Sequence, residues 1–227
     1  MTTANRFTRT LLEAPTPVIA EVKPRTGDGN DLLRGRSAAA IALEYAAAGA
    51  ACLSVVTGRW FGGSVDLLRT VASATGLPVL QKDFIIREKQ LETARALGAS
   101  AVLLTARLLT ASSLRRMSGQ ALSLGLTPFV EVTDEEEIDA VPHPQDSVIA
   151  VNNKNIEQRE LDAGELGRSL RLLPAVRATG TPCPVSASGI DTPVQAAALL
   201  DAGYAGLLVG TTLLRAANVD EWLGALR

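Results

Sequence analysis

A short apolar strand that ends in a lysine is encoded at residues 78–84, which read PVLQKDF. A helix-like run follows from Arg87. A lysine at the end of a buried strand either extends its ammonium to the surface or acts as a general acid or base, because desolvation lowers the pKa of an amine toward working pH. The rest of the chain decides between these two interpretations of Lys82.

The same pattern, an apolar strand followed by a helix, recurs eight times along the chain. The strands are nearly continuous hydrophobic runs, as expected when both faces of a parallel sheet are covered. The predicted strands are 18–23, 52–57, 79–83, 101–106, 128–132, 148–152, 185–188 and 206–210. The predicted helices are 37–48, 65–75, 88–97, 111–124, 134–140, 163–178, 193–202 and 219–226.

The connections from helix to strand share one feature, a glycine at the end of the helix. Gly49, Gly98 and Gly203 each stand where a helix needs a left-handed C-terminal residue, and each leads into a strand. Eight such units predict an α/β fold, a (β/α)8 TIM barrel that forms a single domain over residues 1–227. Residues 1–17 form an N-terminal extension with a short helical lead-in. A doubly wound sheet is the alternative, but the turn at residues 26–29 does not match the GxGxxG signature.

Composition excludes several classes of function. The chain has 227 residues, 47% of them hydrophobic, and a net charge of -2, so no basic field attracts nucleic acid or an acidic membrane. Cys52 and Cys183 lie in apolar contexts and are expected to be buried thiols. Because His143 is the single histidine, neither a zinc site nor a Ser-His-Asp triad is expected. We expect a soluble, cytoplasmic protein without a signal peptide or transmembrane helix.

Polar residues stand at the ends of several predicted strands. In this fold the active site forms at the carboxyl ends of the strands. The residues found there are Glu21, Lys23, Lys82, Glu131, Asn152 and Lys154. Ion pairing alone explains Glu21 beside one lysine. It does not easily explain ionisable groups from four strands, which are costly to bury unless they are paired or used. Acid/base chemistry by lysines and carboxylates is therefore predicted.

The last two strand ends resemble a phosphate site. Ser188-Gly189 and Gly210-Thr211 supply small residues and backbone N–H groups beside the starts of helices. Loops after strands 7 and 8 are the usual phosphate position in such barrels. Ordinary turn chemistry also favours glycine, serine and threonine, so both interpretations stay open here.

In order and spacing, these motifs resemble the indole-3-glycerol-phosphate synthase family of tryptophan biosynthesis. The resemblance covers about residues 7–215. It is carried by VIAEVK (18–23), CLSVVT (52–57), WFGGS (60–64), LQKDFII (80–86), VEV (130–132), VNNK (151–154) and LVGTTLLR (208–215). The family closes the indole ring of 1-(2-carboxyphenylamino)-1-deoxyribulose 5-phosphate, with loss of carbon dioxide and water. It needs no metal or organic cofactor.

The resemblance also implies roles for single residues. Lys82 is the general acid that protonates the ketone oxygen, and Lys23 lies near the substrate carboxylate or phosphate. Glu131 is the acid/base of the dehydration with Glu21 beside it, and Asn152 holds the reacting centre. Substrate and phosphate binding is implied for Thr26, Phe84, Lys154, Ser188, Gly189, Gly210 and Thr211.

Four departures from the family pattern surround the ligand. One is the short N-terminal extension, since only 17 residues precede strand 1 and most of the helix that covers the ring in the family is expected to be missing. The family usually has Ser-Glu-Ser-Gly-Ile at strand 7, where this chain has Ala187 in place of the glutamate. Lys154 replaces an arginine, and the loop at residues 23–29 carries Asp28 close to the expected phosphate. The alternatives are a diverged paralogue with another aryl-amino or sugar-phosphate substrate, or a non-catalytic binder of a phosphorylated ligand. The expected partner is a small phosphorylated molecule, and we expect a monomer, with a dimer as the alternative.

Overall fold

A closed barrel of eight parallel strands forms the centre of the computed structural model, which describes residues 5–154 and 164–227. The strands follow chain order around the barrel, with β8 pairing with β1. Their bounds are β1 Val18–Val22, β2 Cys52–Val56, β3 Val79–Lys82, β4 Ala101–Thr105, β5 Thr127–Val132, β6 Val148–Asn152, β7 Cys183–Ala187 and β8 Gly206–Val209. The predicted (β/α)8 fold is confirmed.

Ten α-helices lie within the described residues. They are α1 Arg6–Glu13, α2 Ala38–Ala47, α3 Val65–Ala74, α4 Glu88–Ala96, α5 Ala111–Ser123, α6 Glu135–Asp139, α7 Leu166–Ala178, α8 Pro193–Ala202, α9 Thr211–Arg215 and α10 Val219–Gly224. Short 3-10 turns span Arg59–Phe61, Ala106–Leu108 and Pro144–Asp146. Gly49, Gly98 and Gly203 have φ values of 89°, 94° and 111°, which confirms their predicted left-handed conformation.

The prediction differs from the structure mainly at the ends of elements. Lys23, Thr57 and Asp83 lie just beyond their strands, because the hydrogen-bonded ladder ends one residue earlier than the apolar pattern. Helix α9 was not predicted, since Thr-Thr after glycine is typical of a turn. The predicted start of the helix at residue 163 falls outside the described residues.

Helix α1 closes the amino-terminal end of the barrel. The ring of Phe7 packs edge-on against Phe129, with 6.3 Å between ring centroids. Leu11 is fully buried against Gly206, where an added Cβ would lie 2.7 Å from Leu11 Cδ2. The barrel interior above these residues is filled by apolar side chains, including Ile19 and Leu80. The polar residues at the opposite end are therefore held on a packed, rigid core.

Cys52 and Cys183 are free and buried inside the barrel, which confirms the expectation of buried thiols. Burial raises the pKa of the Cys183 thiol to about 12 and that of Cys52 further still. Within residues 5–154 and 164–227, no helix has the length and apolarity that crossing a bilayer requires.

Because α1 closes the end of the barrel, substitutions of two neighbouring leucines should lower the free energy of unfolding by different amounts. Leu11 is fully buried, whereas Leu12 on the same helix is 42% exposed. Leu11→Ala should lower the free energy of unfolding by about 2–5 kcal/mol because it leaves a cavity. Leu12→Ala should change it by less than about 1 kcal/mol. Urea unfolding followed by circular dichroism measures both, and equal costs would show that α1 does not seal the barrel.

Candidate active site

A buried carboxylate lies between two lysines at the carboxyl end of the barrel. Glu21 faces this end from β1, Lys23 follows the same strand, and Lys82 ends β3. Glu21 Oε1 is 3.6 Å from Lys23 Nζ, and Glu21 Oε2 is 3.7 Å from Lys82 Nζ. Glu21 is 2% exposed and Lys82 is 8% exposed. Because water is nearly excluded, each charge depends on its neighbours for stabilisation.

An apolar cavity of about 440 Å³ opens beside Lys82. Its walls come from the segments that follow β2 and β3, together with β4 and β5. Its lining includes Trp60, Phe61, Lys82, Phe84, Leu103 and Glu131. The rings of Trp60 and Phe84 meet edge to face with centroids 5.9 Å apart. A cavity with aromatic walls and with ionisable groups such as Lys82 and Glu131 suits a flat aromatic ligand that reacts at its edge.

A second, polar cavity of about 40 Å³ lies between the ends of β7 and β8. Lys23 and Lys154 line it, together with Glu21, Asp191, Ser188, Gly189, Gly210, Thr211 and Thr212. Ser188 and Gly189 have positive φ values of 67° and 69°, so the backbone turns sharply at the end of β7. Ser188 N donates a hydrogen bond to Leu208 O at 3.4 Å, which ties this turn to β8. The two ammonium groups at this small polar cavity suit a phosphate group.

Glu21 connects the two cavities. Its carboxylate lines the polar cavity, and it also contacts Lys82, which lines the apolar cavity. Lys23 makes a similar connection, because its Nζ lies 5.4 Å from the centroid of the Phe61 ring in the apolar wall. The two cavities therefore form one elongated site, with an aromatic end, a polar end and a charged centre.

Asn152 and Asn153 are both buried, but they have different partners. Asn152 Oδ1 accepts a hydrogen bond from Lys154 N at 2.9 Å, while its buried Nδ2 has no acceptor among the described residues. Asn153 Nδ2 donates to Ser186 Oγ and to the carbonyls of Ala187 and Ser188, at 3.0–3.1 Å. Asn153 therefore fixes the end of β7 and the turn at Ser188, whereas the amide nitrogen of Asn152 is left to bind a ligand or water.

Comparison with known proteins agrees with this geometry. The family model described as indole-3-glycerol phosphate synthase matches residues 2–226. The chain belongs to this family. A relative named indole-3-glycerol phosphate synthase from Chromobacterium violaceum is 39% identical over 210 residues, which cover 92% of this chain and 77% of the relative. Relatives of the same name from Laribacter hongkongensis and Pyrococcus furiosus are 37% and 38% identical, covering 98% and 91% of this chain and 84% and 90% of theirs.

Asp28, which departs from the family loop, directs its carboxylate into its own loop. Its Oδ1 accepts a hydrogen bond from the Thr26 hydroxyl, and its Oδ2 accepts one from Asn30 Nδ2 at 2.7 Å. The hydrogen bond from Thr26 holds the pKa of Asp28 below its usual value. Thr26 is not among the described residues that line the two cavities. Its role in substrate binding stays a prediction, and its hydroxyl proton is already engaged.

The other family departures also have defined places. Ala187 is buried in the barrel interior and pairs with Asn152 across the β6–β7 ladder. Lys154 lines the polar cavity, where it supplies a point charge rather than a planar guanidinium. Both changes alter the polar end of the site and leave the aromatic cavity unchanged.

Most of the aromatic wall is formed by residues for which the sequence predicts no role. Trp60 and Phe61 belong to a segment that carries the family resemblance, and Leu103 matches the pattern of an ordinary core residue. Trp60 is 68% exposed despite its size, which is typical of a residue at the edge of a ligand cavity. The sequence feature that could indicate this wall is the aromatic pair Trp60-Phe61, which follows a buried strand of the barrel.

The contrast between the two asparagines predicts different effects on stability. Asn153→Ala should lower the free energy of unfolding by about 2–4 kcal/mol, because it leaves several buried partners without a hydrogen bond. Asn152→Ala should cost about 1 kcal/mol, since its one hydrogen bond described here is to Lys154 N. Chemical unfolding of both variants measures the difference. A larger cost for Asn152→Ala would contradict the ligand-facing role of its amide.

Proposed function

We propose that this chain catalyses the reaction of its family, the closure of the indole ring of 1-(2-carboxyphenylamino)-1-deoxyribulose 5-phosphate. The products are indole-3-glycerol phosphate, carbon dioxide and water. The observation that carries the proposal is the place of Lys82, which lines the aromatic cavity and contacts the carboxylate of Glu21. An ammonium in this position can donate a proton to an oxygen at the edge of a bound aromatic ring.

The shape of the site sets the orientation of the substrate. The carboxyphenyl ring enters the cavity between Trp60 and Phe84. The phosphate lies at the polar end, on Lys154, Ser188, Gly189, Gly210 and Thr211, with Lys23 between phosphate and ring. The ketone of the sugar chain then falls near Lys82. Binding both ends of the substrate holds the aryl carbon against the carbonyl carbon, which reduces the entropic cost of ring closure.

Ring closure requires a proton on the ketone oxygen. As the aryl carbon that bears the carboxylate attacks the carbonyl carbon, a C–C bond forms and Lys82 donates its proton to the carbonyl oxygen, giving an alcohol. The bond to the carboxylate then breaks, carbon dioxide leaves, and the electron pair restores the aromatic ring. Glu21 Oε2 lies 3.7 Å from Lys82 Nζ and helps to hold the ammonium in position for this step.

Dehydration completes the indole. The hydroxyl formed in the first step leaves as water, and a proton is removed from the neighbouring carbon. Glu131 is buried in β5 and lines the aromatic cavity, so its carboxyl group is placed to exchange these protons. Asn152 lies at the end of the adjacent strand β6, and its amide nitrogen is a donor for a substrate oxygen. Each proton transfer in this scheme uses a lysine or a carboxylate.

Loss of the Lys82 ammonium should abolish most of the turnover. Lys82→Ala should lower kcat about 10²–10⁴-fold, the usual contribution of a general acid, with a smaller change in KM. The assay follows the fluorescence of the indole product. Lys89→Ala is the matched control, because Lys89 is exposed on α4 and pairs with Glu92 at 2.8 Å. Unchanged turnover in Lys82→Ala, or no turnover in the unmodified protein, would refute the proposed function.

A further inference from the structure

Gly210 lies against the carboxylate of Glu21 as well as beside the polar cavity. A Cβ added at Gly210 would lie 2.5 Å from Glu21 Oε1 and 3.2 Å from Glu21 Cδ. The φ of Gly210 is -118°, outside the left-handed region that favours glycine. The space that the Glu21 side chain occupies is a feature that calls for glycine here.

The Glu21 side chain has little freedom to move aside. Glu21 is buried, and its two carboxylate oxygens lie 3.6 Å and 3.7 Å from the ammonium groups of Lys23 and Lys82. A rotation that relieved contact with a methyl group at residue 210 would lengthen one or both of these ion contacts. Because the cluster is screened from water, losing a contact changes the charge balance of both lysines.

We propose that Gly210 is a positioning residue for Lys82, and that it acts by leaving room for the carboxylate of Glu21. Gly210 then serves the catalytic centre as well as the phosphate end, since the end of β8 bounds both. The inference rests on the proposed function for the role of Lys82, while the contact between Gly210 and Glu21 is independent of it.

The two roles of Gly210 predict different kinetics. A residue that only admits phosphate affects substrate binding, so its substitution raises KM. A residue that sets the position of Glu21 affects the proton donor, so its substitution lowers kcat. A shorter carboxylate separates the two roles further. Glu21→Asp withdraws the carboxylate by about one C–C bond length, roughly 1.5 Å, while the negative charge stays. It relieves the 2.5 Å contact with Oε1 and leaves the milder 3.3 Å contact with Glu21 Cβ.

The test is a double-mutant cycle with Gly210→Ala, Glu21→Asp and the combined variant, assayed by indole fluorescence with kcat and KM determined separately. Gly210→Ala should lower kcat at least about tenfold. Adding Glu21→Asp should raise kcat of the Gly210→Ala variant to near that of Glu21→Asp alone, a strongly non-additive result for two residues in contact.

Several results would overturn the inference. These are a normal kcat in Gly210→Ala, a rise in KM alone, or a combined variant no more active than Gly210→Ala. If Gly210→Ala does not fold, folding of the combined variant supports the inference and its failure to fold opposes it. If the unmodified protein is active but Glu21→Asp does not restore kcat to the Gly210→Ala variant, only the role of Gly210 is refuted. If the unmodified protein is inactive, the proposed function is refuted.

Discussion

The carboxylate of Glu21, buried between Lys23 and Lys82, is the interaction on which the site depends. Two ammonium groups near one another and away from water repel, and one carboxylate within 4 Å of both offsets much of that cost. Such a cluster needs a rigid support. The barrel supplies it, since β1 and β3 lie on either side of β2 and hold the two lysines at fixed positions around the mouth.

The cluster also explains how two unlike cavities act as one site. In the proposed function the aromatic end holds the carboxyphenyl ring and the polar end holds the phosphate. Glu21 borders the polar cavity and contacts Lys82 in the aromatic one, so the proposal assigns the reacting atoms to the charged centre. Gly210 adds a steric condition to this arrangement, since the end of β8 must leave space for the Glu21 side chain.

The sequence predicted the barrel and the charged centre because both depend on short-range patterns. Apolar runs gave the strands, left-handed glycines gave the joints, and residues such as Lys82 and Glu131 stand out in an apolar strand. The aromatic wall was not predictable in the same way. Trp60 and Phe61 lie in an irregular segment, where neither period 2 nor period 3.6 gives the direction of a side chain. Nor does the sequence distinguish Asn153, which anchors the loop, from Asn152, which has an amide nitrogen available.

The same limit applies to Gly210. Glycine after a strand is expected in any barrel turn, and only the three-dimensional contact with Glu21 reveals the steric reason for it. Asp28 is a further example, since the sequence places its negative charge close to the expected phosphate. Its partners Thr26 and Asn30 lie within the same loop, and hydrogen bonds from them direct the carboxylate into that loop.

The coupling between Glu21 and Lys82 in turnover tests this account most directly. The measurement is kcat of Glu21→Gln, Lys82→Ala and the combined variant, since glutamine keeps the shape of the Glu21 side chain and removes its charge. The account predicts that Glu21→Gln lowers kcat when Lys82 is present and lowers it little further in Lys82→Ala, because the carboxylate acts through the ammonium that it contacts. Losses that simply add in the combined variant would contradict the claim that Glu21 acts through Lys82.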